Sequence, residues 1–121
     1  MKNIDHWFIL MALVYALLGM SLGFWMGASE DMTHVPVHAH INLVGWVSMT
    51  LFALIYRSFP ALKDSRLAAP HFWLMAIGTP IMLAGIPLAH SGKSPLLAIG
   101  GSALVILAFV LFLVNFVRRG T

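Results

Sequence analysis

The sequence predicts an all-α integral membrane protein, a four-helix bundle with both termini in the cytoplasm, on three observations. Hydrophobic residues fill 60% of the 121 positions, charged residues only 9%, and the mean hydropathy is +0.92, whereas soluble domains are about 45–50% apolar. The apolar residues gather into four runs, approximately Trp7–Ala28, Val37–Tyr56, His71–Ala89 and Pro95–Val117, each near the roughly 20 residues that carry a helix across a bilayer. Six of the seven Lys and Arg (Lys2, Arg57, Lys63, Arg66, Arg118 and Arg119) fall on one side of that topology, and only Lys93 falls on the other. The positive-inside rule makes the richer side cytoplasmic, in a bacterial inner membrane whose periplasmic face carries Lys93. Residues 1–121 then form a single transmembrane domain.

The first run is too long for a typical signal-peptide core, and Glu30-Asp31 follows it where a small-residue cleavage site belongs, so it reads as a retained helix. Gly19, Gly23 and Gly27 recur every four residues along it, with Ser21 nearby, a flat stripe that lets another backbone approach closely. The second run opens behind Pro36, whose missing N–H costs nothing at a helix start. The polar stretch Arg57–Ala69 is a cytoplasmic connector. The third run contains Gly78-Thr79-Pro80, a predicted kink. The fourth, mostly Leu, Val, Ala and Phe, is expected to face lipid along much of its length.

The net charge of +3 and pI near 9.8 reflect these helix anchors and imply no nucleic acid. Zero Cys excludes disulfides, thiolate metal sites, iron–sulfur clusters and covalently attached haem. Any redox cofactor is therefore held by His, Met or oxygen ligands.

His38 and His40 stand where the second run enters the membrane, a costly place for ionisable groups and a usual place for chemistry. Two residues along a helix is about 200° of rotation, so the two rings leave opposite faces and do not chelate one ion together. Each can ligate a different haem iron or contact a different neighbouring helix. Asn42, Gly45 and Met49 share the His38 face. That stripe reads as a slot for a flat macrocycle or as a polar-capped helix–helix contact.

His34 is four residues before His38, the spacing of a two-His metal site, but Val35-Pro36 is expected to break the register. His90 ends the third run on the same side, and His71 begins it a membrane thickness away, where a structural role is expected. His6 is read as interfacial. Phe24, Trp25, Trp46 and Trp73 either line a cofactor or quinone path or serve as ordinary interfacial aromatics.

His38-Ala39-His40-Ile41-Asn42-Leu43-Val44-Gly45-Trp46 resembles the haem-ligating helices of the large subunit of haem–copper oxidases and nitric oxide reductases, where a His-x-His pair binds two haems. His71-Phe72-Trp73-Leu74-Met75-Ala76-Ile77-Gly78 resembles the penultimate helix of that family more weakly. The resemblance implies that four helices make one third of a twelve-helix ring, so that a homotrimer rebuilds it. It also implies about one non-covalent haem b per chain, held at subunit interfaces by His38 and His40, with Asn42, Gly45, Trp46 and Met49 beside the macrocycle and His90 or Lys93 near its propionates. The family's further copper ligands, cross-linked His–Tyr and paired Arg have no counterpart, so no copper centre carries over.

Bis-histidine iron favours electron transfer, with quinol or a periplasmic carrier as partner, over catalysis. The alternatives are a minimal oxygen or nitric oxide reductase or gas sensor, and a copper-handling assembly protein using His34, His38, His40 and Met20, Met26, Met32 and Met49.

Overall fold

The computed structural model describes residues 1–121 and contains four helices long and apolar enough to cross a membrane. They are α1 (Ile4–Ser29), α2 (Val35–Ser58), α3 (Ala68–His90) and α4 (Leu96–Arg119). Each encloses or closely overlaps one predicted run. The helices outlast the hydropathy at most ends because backbone hydrogen bonding continues through polar interfacial residues.

The four helices form two tight hairpins that meet more loosely. α1 packs along α2, and α3 along α4. In the second hairpin the backbones nearly touch. A Cβ on Gly85 would strike the Ala98 backbone, and one on Gly101 would strike that of Met82. Only glycine permits this approach, which replaces the missing hydrophobic drive between membrane helices with close van der Waals contact.

The third run is not broken at Gly78-Thr79-Pro80. α3 continues through both Pro80 and Pro87, although each proline removes one donor from the ladder. The outward face of α4 is apolar and uncovered, as expected for lipid, with Leu96, Ile99, Ile106, Leu113 and Val117 among its exposed side chains.

At the end that holds both termini the hairpins share a buried aromatic cluster. There His71 is fully buried among Phe8, Phe52 and Phe112, with ring centroids 5.2, 4.5 and 4.9 Å away. The Tyr56 hydroxyl and His71 Nδ1 share a 3.0 Å hydrogen bond. Nearby, Asn115 Nδ2 donates to the Leu62 carbonyl at 3.2 Å, and the N-terminal ammonium donates to the Lys63 carbonyl at 2.7 Å. His71 is thus a structural polar anchor.

Removing one partner of a buried hydrogen bond leaves the other unpaired, at a cost of about 1–3 kcal/mol, whereas removing both is nearly neutral. Tyr56→Phe should therefore destabilise the protein by about that amount in mixed-micelle unfolding, and adding His71→Leu should recover part of the loss. An unstable double variant together with a silent Tyr56→Phe would contradict this account.

Candidate functional site

The opposite end carries the two short turns, Glu30–His34 and Ser91–Pro95, and the histidines of interest. Asp31 organises the first turn. Its Oδ1 accepts from the Thr33 hydroxyl and from the Thr33 amide at 2.9 Å, and these bonds hold the carboxyl below the usual carboxylate range. Helix α2 then begins at Val35 with Pro36 in its first turn. The break expected between His34 and His38 does not occur, because the His38 amide donates to the His34 carbonyl at 2.9 Å. Proline leaves that bond intact, since in the first turn its own nitrogen has no partner to lose.

His40 is exposed, and its Nδ1 lies 2.8 Å from the Pro36 carbonyl oxygen. A carbonyl oxygen can only accept, so Nδ1 carries the proton of this bond, and in the neutral ring the lone pair is on Nε2. Metal-binding histidines are oriented in this way, one nitrogen donating to a backbone carbonyl and the other left for the ion. The chain's own backbone thus selects one tautomer of the neutral ring and limits its rotation.

His38 leaves the other side of the helix and rests, half-buried, on α1. A Cβ on Gly23 would come within 2.9 Å of His38 Cε1, so glycine makes the space the ring occupies. Asn42 Nδ2 donates to the His38 carbonyl at 3.1 Å and lies 3.3 Å and 3.4 Å from the two ring nitrogens. Gly19 accommodates the Asn42 carboxamide in the same way, whereas Gly27 faces open space. Two of the three glycines in the predicted stripe therefore form a seam, and the imidazole lies in it.

The slot expected beside Gly45 is filled within the chain. A Cβ there would come within 2.5 Å of Tyr15 Cγ, and Met49 is fully buried in the core. Asn42 and Gly45 thus face α1, the helix–helix contact that the same stripe allows, and Met49 lies in the core. Tyr15, one helix away, occupies the volume that glycine leaves. Trp46 is half-buried against the core, and Lys93 is exposed in the second turn.

From Ile41 to Ser48 the helix widens to a π-helix, a rare geometry that clusters at functional sites. Ser48 Oγ donates to the Leu43 carbonyl five residues back at 2.8 Å, and Thr50 Oγ1 to the Trp46 carbonyl at 2.7 Å. These hydroxyls satisfy carbonyls that water cannot reach. The chain matches no family model, no curated protein and no solved structure. The site therefore rests on its own geometry.

His34 and His90 line one cavity of about 290 Å³, with Thr33, Pro36, Pro87 and Ser91. The sequence placed both at this end without pairing them, because the pairing depends on how α2 and α3 cross. No three His, Asp or Glu side chains in the chain converge on one point.

Proposed function

We propose that the chain is a haem b-binding membrane cytochrome that transfers electrons, with each haem held between neighbouring copies of a homotrimer at the periplasmic end. The observation that carries this reading is His40: exposed, its tautomer set by the Pro36 carbonyl at 2.8 Å, its Nε2 lone pair uncommitted. His40 would supply one nitrogen ligand, and His38 of a neighbouring copy would supply the other after its ring turns out of the Gly23 seam. The donor chemistry fits, since neutral imidazole is the common axial ligand of b-type haem and the chain has no Cys to attach the group covalently. Held by two imidazoles, such a group would supply one-electron exchange.

The protein's own residues then bind and orient. The Pro36 carbonyl holds the His40 ring and raises its basicity as a ligand. Asn42 and Gly23 confine His38. His90 and His34, in their shared cavity, and Lys93 in the adjoining turn, offer donors for propionate carboxylates. The exposed apolar faces of α1 and α4 are shared between lipid and the neighbouring copies. Quinol or a periplasmic carrier would be the electron partner.

Purified after expression with ample haem, the protein should show a Soret band and a low-spin reduced spectrum, with about one extractable haem b per chain. Carbon monoxide should leave the reduced spectrum unchanged. Absence of a Soret band from folded protein would overturn the reading, and a rapid shift with carbon monoxide would overturn the electron-transfer assignment.

A further inference from the structure

A polar cleft of about 800 Å³ opens at the terminus end between the start of α1 and the end of α2, lined by Lys2, Asp5, His6, Arg57, Lys63 and Asp64. Lys63 is engaged with Asp5 at 2.9 Å, the one ion pair in the chain. Lys2 and Arg57 are exposed and have no carboxylate within ion-pair distance, and the N-terminal ammonium is fixed nearby on the Lys63 carbonyl. Against them stands one unpaired carboxylate, Asp64. The cleft therefore keeps an excess of positive charge after its internal pairing is counted.

The floor of the cleft continues between the same two helices. A smaller cavity of about 150 Å³ shares Asp5, His6 and Arg57 with it and adds Ile9, Ala53 and Leu54. A charged mouth thus shares a wall with a smaller slot in the α1–α2 groove, whose remaining lining is apolar. Trp7, half exposed beside His6, marks this level as the headgroup layer, where tryptophan is enriched. Arg57 lines both cavities, so its planar guanidinium can take a phosphate by paired hydrogen bonds while its stem borders the slot.

We infer that this cleft is a binding site for one anionic phospholipid, its phosphate held by Arg57 and Lys2 and the start of an acyl chain lying between Ile9 and Leu54. The site is at the opposite end of the helices from His40 and does not depend on the haem reading.

The test is native mass spectrometry of the full-length protein in detergent, with equimolar dioleoyl phosphatidylglycerol and dioleoyl phosphatidylcholine. One phosphatidylglycerol should be retained preferentially. The Lys2→Gln/Arg57→Gln variant should lose roughly 10- to 30-fold of that retention, from the usual worth of a cation near an anionic lipid, while phosphatidylcholine binding is unchanged. Arg118→Gln/Arg119→Gln, which removes two cations at the same membrane level outside the cleft, should keep it. Equal losses in the two double variants, or undiminished retention in the first, would overturn the site. Glycerol 3-phosphate that binds as well as the intact lipid would show that phosphate alone is recognised and would overturn the role of the slot.

Discussion

His40→Ala protein expressed with ample haem is expected to retain its four helices and lose its cofactor. The loss should be at least the roughly 10- to 100-fold that removal of an orienting partner alone causes at metal sites, because here the ligand itself goes. If each haem joins two copies, the apparent oligomer should fall apart with it. His38→Ala should act in the same direction, whereas His71→Leu, about a membrane thickness away, should keep the haem. A small imidazole added to His40→Gly protein should restore part of the absorption by filling the vacated position. A full Soret band in both His38→Ala and His40→Ala would defeat the proposal, and helical circular dichroism on the same samples separates loss of ligand from loss of fold.

The second large effect concerns two adjacent glycines with opposite surroundings. At Gly101 an added methyl would meet the Met82 backbone, whereas at Gly100 it would meet nothing within 4 Å. Gly101→Ala must push α3 and α4 apart or leave the contact strained. Overpacking of this kind costs about 1–3 kcal/mol, and backbone against backbone belongs at the upper end. Gly100→Ala should be neutral or stabilising by about 0.5–1 kcal/mol, from reduced backbone entropy in the unfolded helix. Unfolding in mixed micelles, followed by circular dichroism, compares the two. Equal stability of the two variants would mean that the second hairpin is not held by this close approach.

Much of the fold is legible in the sequence, because a bilayer forces each apolar run of sufficient length into a helix that satisfies its own backbone. The opposition of His38 and His40 is equally legible, being a matter of rotation per residue. The seam at Gly19 and Gly23 follows from their spacing, though not that His38 and Asn42 would fill it. Two features depend on partners distant in the chain and were beyond periodicity: Tyr15 occupies the space beside Gly45, and His34 shares a cavity with His90. The bond from His40 to the Pro36 carbonyl is local, one turn apart, but it depends on the ring's rotamer, which residue type does not specify. Gly85 and Gly101 carry a partial signal: Gly78 and Gly85 lie two turns apart on one face, a pattern that marks a close contact. The π-helix from Ile41 to Ser48 has no signature in residue type, since the same residues form an ordinary helix equally well.

The buried aromatic cluster around His71 fills the space between the two hairpins at the terminus end, whereas at the turn end the hairpins touch beside the cavity that His34 and His90 share. Added bulk is therefore tolerated unequally along the same pair of helices: rings already occupy the first end, and a larger side chain there overpacks it, while the second end keeps room for growth.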